Sequence, residues 1–184
     1  MKFERQLIPD IILIKPQIFS DGRGYFSEIF RHDLLENELG SKVRFIQENE
    51  SKSSKGILRG LHYQIPPFSQ AKLVRVTEGR VLDVAVDIRK DSKTFAQHVA
   101  LELTDVNKYQ VYIPHGFAHG FIVLSDFAVF NYKVDNYYSP SHDRGIAFDD
   151  INLAIDWQIP SNEIVVSKKD NNQPFFSNEL KLFK

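Results

Sequence analysis

The chain has 184 residues, 42% of them hydrophobic and 26% charged, with a formal charge of −1. That length accommodates one domain with a proper core, and the near-neutral balance excludes a general electrostatic drive toward nucleic acid or anionic membrane, so an anionic ligand needs a local basic pocket. The absence of cysteine excludes a disulfide framework and a thiolate metal site, and leaves compartment unreadable from thiol chemistry.

Residues 1–6 are polar, and the early apolar run Ile11-Ile12-Leu13-Ile14 is far too short for a signal core or a membrane span, so a cytoplasmic protein is expected. The first strand candidate runs from Gly24 to Phe30. A helix is predicted from Leu34 to Leu39, with Asp33 as its N-cap, Glu36 three residues on and Gly40 as its stop. A strand is predicted over Arg44 to Glu48. Farther on, Lys72 to Val76 is followed across Thr77-Glu78-Gly79-Arg80 by Leu82, Val84, Val86 and Ile88, which alternate with Asp83, Ala85 and Asp87. Period two reads as a half-buried strand, and the glycine in the link suits a hairpin, so the two runs are expected to pair.

Val99 to Leu103, Gln110 to Ile113, Phe121 to Leu124 and Phe127 to Val134 continue the series, spaced by Gly, Pro, Asp or Asn. Asp150 to Ile155 permits a second short helical turn. From Asn171 the chain reads as a loosely held tail, and no repeat, heptad or low-complexity tract is present. The expectation is one all-β domain over residues 1–184, a sandwich or barrel with a core of about 22–170 and one or two short helices.

Three constellations carry chemistry. His62 lies three residues after Arg59 and precedes Lys72 on the next strand; two cations beside an imidazole lower its pKa, favour the neutral base and attract phosphate. Pro114-His115-Gly116-Phe117-Ala118-His119-Gly120 matches the second half of the cupin motif, in which a glycine turns the chain and a histidine points into the barrel. The first half departs from a metal cupin: in His62-Tyr63-Gln64 a glutamine stands where the second imidazole belongs. Too few nitrogen ligands remain for a firm transition-metal site, so no metal and no cofactor is expected.

Tyr132 and the segment Asn136-Tyr137-Tyr138-Ser139 through Asp143 and Arg144 form the third constellation. Clustered tyrosines suit a core edge or an interface as well as a stacking platform with an acid. Ser167-Lys168-Lys169-Asp170 by itself reads first as a solvated turn, and alternatively as the source of a carboxylate that orients an imidazole.

Together, Gly24-Tyr25-Phe26-Ser27-Glu28, Gln47-Glu48-Asn49, Gly56 through Gln64, Lys72 through Val76 and Pro114 through Phe121 resemble the dTDP-4-dehydrorhamnose 3,5-epimerase family from about Gly22 to Asp170. The resemblance implies a cupin-type double-stranded β-helix, or jelly-roll barrel, a place in dTDP-rhamnose biosynthesis and a homodimer whose N-terminal strand enters the neighbour's sheet. It implies His62 as proton acceptor, Asp170 as its orienting carboxylate, Tyr132 as proton donor and Lys72 as the cation on the enolate oxygen. Arg23, Glu28, Gln47, Asn49, Arg59, His119, Asp143 and Lys168 or Lys169 match positions that hold the nucleotide and its diphosphate, and Tyr138 matches the residue stacked on thymine. Within the same nucleotide pocket, Glu48 stands where the family commonly has aspartate, and Asp143 where it commonly has glutamate.

The implied reaction inverts C3 and C5 of dTDP-4-dehydro-6-deoxy-D-glucose. Its rivals are a C3-only epimerase, a 3,4-ketoisomerase, a non-catalytic sugar-binding cupin and a metal-dependent cupin. One conflict is internal to the sequence: Arg59 and His62 differ by an odd number, so a regular strand points them to opposite faces, whereas the resemblance needs both in one pocket. A bulge or sharp twist at Gly60 is the expected resolution.

Overall fold

The period-two patterning builds a barrel from two sheets. The computed structural model describes residues 1–178 and 183. Its strands are β1 (Lys2–Arg5), β2 (Ile12–Lys15), β3 (Ile18–Asp21), β4 (Gly24–Ser27), β5 (Gln47–Ser54), β6 (Leu58–Gln64), β7 (Lys72–Glu78), β8 (Arg80–Asp87), β9 (His98–Thr104), β10 (Gln110–Ile113), β11 (Phe117–Val123), β12 (Phe127–Val134) and β13 (Asp143–Gly145). One antiparallel sheet has the order β1-β2-β10-β7-β12-β5, the other β13-β6-β11-β8-β9, and β3 and β4 form a separate hairpin. Val74, Val76 and Phe130 of the first sheet meet Ala85, Phe117 and Phe121 of the second in the main core. This is the two-sheet jelly roll of a cupin barrel.

The link at Gly79 does not make the expected hairpin, because β7 and β8 lie in different sheets. Gly79, at φ +79, carries the chain from one sheet to the other, and a Cβ there would run into the Phe127 carbonyl oxygen. Only glycine makes this corner without strain. Nor is β8 half-buried: all its residues from Val81 to Asp87 are buried. Leu82, Val84, Val86 and Ile88 pack outward beneath Leu153, Trp157 and Phe176 of the C-terminal segment, while Val81 and Ala85 face the main core. That cover over the outer face turns the alternating aspartates inward, where a solvent-facing strand would turn them out.

The helix α1 spans His32–Leu39, beginning two residues earlier than expected. Asp33 sits in its first turn, paired with Arg31 Nη2 at 2.5 Å, and does not cap it. Gly40 ends the helix at φ +67, its N–H bonded to Glu36 O at 2.9 Å. Leu35 buries with Ile12, Leu73 and Tyr112 on the outside of the six-stranded sheet. Residues 150–155 make the single short turn expected and no longer helix: the Asp150 carbonyl accepts from the Leu153 N–H at 3.2 Å and the Ala154 N–H at 3.1 Å, and Asp150 Oδ1 accepts from the Asn152 N–H at 2.8 Å.

The strand predicted over Gly24 to Phe30 stops at Ser27, and the one predicted to start at Arg44 starts at Gln47 and runs to Ser54. The tail expected to be loose from Asn171 is docked as far as Phe176, which is buried and whose N–H bonds to Asp150 Oδ2 at 2.5 Å. Residues 179–182 and 184 lie outside the described residues.

Candidate active site

A cavity of about 520 Å³ opens between the sheets, lined by Arg59 and His62 of β6, His119 of β11, Lys72 of β7, Tyr132 of β12, and Lys169 and Asp170 from the C-terminal segment. Its walls therefore come from both sheets. The odd spacing of Arg59 and His62 is absorbed as expected. His119 pairs with His62, but Phe121 pairs with Arg59, so β6 carries one extra residue against β11. Gly60, at φ +136, occupies the bulge, and a Cβ on it would stand 2.5 Å from Gly120 Cα and 2.9 Å from His119 O. The missing side chain lets the two backbones approach and returns both Arg59 and His62 to the cavity.

His62 Nε2 and Asp170 Oδ1 are 2.5 Å apart. Asp170 is buried at the start of a short 3-10 turn, Asp170–Asn172, with its N–H held by Ser167 Oγ at 3.0 Å. Burial works to raise its carboxyl, but the His62 hydrogen bond and charge, aided by Ser167 and Lys169, overcome that and hold it below the usual carboxylate range. An ionised Asp170 accepts the Nε2 proton, so Nδ1 is left as the basic nitrogen. Asp170 is thus buried against the imidazole, while Ser167, Lys168 and Lys169 before it stay exposed.

Lys72 is the buried cation of the cavity, and its Nζ reaches His62 O at 3.5 Å. Burial pulls its pKa down to about 8, against the attraction of Asp83 and Asp143. It remains protonated near neutrality, with little water to screen it. Tyr132 faces His62 from the opposite sheet; burial raises its phenol, and the Arg59 charge opposes the rise. Arg59 is held by Ser53 Oγ at 3.0 Å.

His119 is buried, its Nε2 2.7 Å from Asp83 Oδ2. Burial lowers its pKa, Asp83 opposes this and Lys72 adds to it, so the ring stays neutral. Sequence reasoning missed Asp83. The available signal was a carboxylate set among Leu82, Val84 and Val86, which an inward-facing strand must pair with a donor.

At the outer rim, Tyr138 is 55% exposed and its hydroxyl donates to Asp143 Oδ2 at 3.0 Å. Lys169 Nζ also reaches Asp143 Oδ2, so of the two lysines it is Lys169 that meets the cavity, while Lys168 does not line it. Gln47 and Asn49 join through Nε2–Oδ1 at 2.8 Å, and Asn49 pairs in register with Tyr132. Glu48 points the other way, to Lys133 at 2.7 Å, as strand alternation requires of the residue between 47 and 49, and none of the three lines the cavity. Arg23 and Glu28 are not brought to the cavity either. Arg23 pairs with Asp21 on the exposed β3–β4 hairpin, and Glu28 lies 3.7 Å from Arg31.

Among the described residues no group of three or more His, Asp or Glu is placed to hold a metal ion. What the cavity does assemble is a histidine oriented by a carboxylate, a phenol opposite it and a buried ammonium between two sheets. This arrangement defines a proton-transfer isomerase on a cupin barrel.

The family model for dTDP-4-dehydrorhamnose 3,5-epimerase matches residues 5–178. A dTDP-4-dehydrorhamnose 3,5-epimerase of Shigella flexneri is 50% identical over 168 residues, covering 91% of this chain and 92% of the relative. The crystal structure of the same-named enzyme from Elizabethkingia anophelis superposes with a TM-score of 0.94 at 47% identity, over 97% of this chain and 98% of that one. A dTDP-6-deoxy-D-glucose-3,5-epimerase of Legionella pneumophila, solved in complex with dTDP-4-keto-L-rhamnose, gives 0.92 at 45% identity, over 96% and 93%. The chain belongs to the dTDP-4-dehydrorhamnose 3,5-epimerase family.

Proposed function

We propose that the protein inverts C3 and C5 of dTDP-4-dehydro-6-deoxy-D-glucose to give dTDP-4-dehydro-L-rhamnose. The observation that carries the reading is the opposition of the His62–Asp170 pair on one sheet side and Tyr132 on the other, across a cavity that holds Lys72. The C4 ketone acidifies the C–H bonds at C3 and C5. His62 Nδ1 takes the proton, Asp170 stabilises the resulting imidazolium, and Lys72 meets the charge that develops on the C4 oxygen. Tyr132 then delivers a proton to the other face of the carbon, which inverts it. A phenol with an ordinary pKa of about 10 is acidic enough to protonate an enolate carbon and weak enough to keep its proton until then.

Arg59 and Lys169 are suited to the diphosphate as the cations toward the rim, with His119 as a neutral polar wall, and Tyr138 offers an exposed ring for the base. Gln47, Asn49 and Asp143 complete the nucleotide side. One domain over residues 1–184 is proposed, working as a homodimer in the cytoplasm. The hairpin supports the dimer: Phe19 and Phe26 are cross-strand partners, 53% and 69% exposed, Arg23 shares an open pocket with them on the hairpin, and Glu28 follows it, both away from the main cavity. Docking the hairpin on a second copy covers the aromatics and gives Arg23 and Glu28 a site. Sedimentation of a dimer supports this part, and a monomer that is fully active removes it.

Turnover in heavy water tests the chemistry. Deuterium entering both C3 and C5 is the expected result, whereas label confined to C3 leaves the C3-only reaction. His62→Ala should abolish exchange while the nucleotide still binds; undiminished exchange would remove the base assignment.

A further inference from the structure

Gln64 stands where a metal-binding cupin carries its second imidazole, and the proposed reaction gives it no task. The residue is 4% exposed, and its amide is spent on main chain. Nε2 donates to Phe68 O at 2.7 Å and to Tyr137 O at 3.1 Å, and Oε1 accepts from the Ser139 N–H at 2.6 Å. One group at the end of β6 thereby ties down the loop entering β7 and the loop leaving β12. The same two loops are stitched by Gln70 Nε2 to Asn136 O (2.7 Å), Asn136 Nδ2 to Pro67 O (3.0 Å) and the Ala71 N–H to Asp135 Oδ1 (2.7 Å).

Tyr138 lies between the two residues whose main chain Gln64 holds. We infer that Gln64 is a positioning residue for the nucleobase: it sets the stand of the Tyr138 ring relative to His62, two residues away on the same strand. The inference rests on the function proposed above, with Tyr138 as the stacking side chain. A ring on an untied loop must be ordered when the nucleotide arrives, and that cost is taken from affinity. Only a primary amide supplies two donors and an acceptor from one planar group; a neutral imidazole has a single donor and could not serve both carbonyls and the N–H. The residue that breaks the metal pattern is thus the one the nucleotide loop requires.

Gln64→Met keeps the length of the side chain and removes all three bonds. Calorimetry with dTDP and with pyrophosphate, together with exchange kinetics on the 4-keto sugar, gives the test. The Kd for dTDP and the KM should each rise about tenfold, with kcat within about threefold of wild type and pyrophosphate binding unchanged. Unchanged Kd and KM, or a fall in kcat at constant KM, overturns the inference. Should Gln64→Met fail to fold, Asn136→Ala cuts a stitch at the exposed end, and it must raise the same Kd by about threefold; no rise overturns the inference equally. Wild-type protein that neither binds dTDP nor exchanges deuterium counts against the parent function. Wild-type protein that does both, beside an unaffected Gln64 variant, counts against Gln64 alone.

Discussion

Replacing Lys72 by methionine should make the protein more stable and nearly inactive at once. Burial lowers the ammonium from 10.5 to about 8, and that outcome already includes the attraction of Asp83 and Asp143. At about 1.4 kcal/mol per pH unit, carrying the charge in the fold costs about 3 kcal/mol near pH 7. Methionine keeps the apolar stem and drops the charge, so the variant should gain stability on that order. Below about pH 8 Lys72 is protonated in folded and unfolded chains alike, and the whole penalty applies. Between about 8 and 10.5 the unfolded chain binds a proton that the folded chain does not, so the wild type gains stability as pH rises. Above that window the penalty is gone. Urea melts at pH 7 should therefore put the variant ahead by about 3 kcal/mol, with the lead shrinking toward pH 10. Exchange should fall about 10²- to 10³-fold, as when an oxyanion partner is removed. A variant less stable than wild type at pH 7, or a lead that ignores pH, refutes the reasoning.

The same lowered pKa predicts that exchange weakens as pH rises past about 8, because Lys72 then loses its charge; a rate still climbing well beyond that pH would remove Lys72 from the enolate. Asp170→Asn should cut kcat about 10²- to 10⁴-fold with KM little changed, by favouring the wrong imidazole tautomer. Since the Asp170 carboxyl is held below its usual range, its contribution to stability is present above the ordinary carboxylate pKa and disappears as pH falls through the folded value. Wild-type and Asn-variant melts should converge in acid, and melts that diverge there would contradict the pairing. Gly60→Ala meets strain from φ +136 and puts its Cβ 2.5 Å from Gly120 Cα. It should cost at least about 3 kcal/mol in a urea melt, and a loss below about 1 kcal/mol would show that the bulge does not need glycine.

The bulge at Gly60 was legible in the sequence because it follows from arithmetic: two side chains wanted in one pocket stood an odd number of residues apart. The same arithmetic, applied to Gln47-Glu48-Asn49, turns Glu48 to Lys133 and away from the face shared by Gln47 and Asn49. Asp83 was hidden. An aspartate alternating with aliphatics reads as solvent-facing, and only Trp157 and Phe176, far along the chain, make the aliphatic face the outer one. The exchange of sheets at Gly79 was hidden likewise, since a short glycine link between two strands suits a hairpin and a corner equally well. In both cases the deciding fact is what covers the strand, which lies far along the chain from the strand itself.

His62 and His119 stand opposite each other in register, and each gives its Nε2 to a carboxylate, Asp170 and Asp83. Similar pairings do not make similar groups. The His62 side chain is 31% exposed and the His119 side chain 7%. A general base must gain a full positive charge as it works, and a carboxylate partner offsets only part of the desolvation that a buried ring meets on charging. His119 lies on the wrong side of that cost: burial lowers its pKa, and the Lys72 cation lowers it further. His62 opens to the cavity, where water and substrate can reach Nδ1 and where the imidazolium stays partly solvated. Two histidine–aspartate pairs side by side therefore differ by exposure and by the Lys72 charge, which suits one to the proposed proton transfer and the other to a neutral wall beside Asp83 and Lys72.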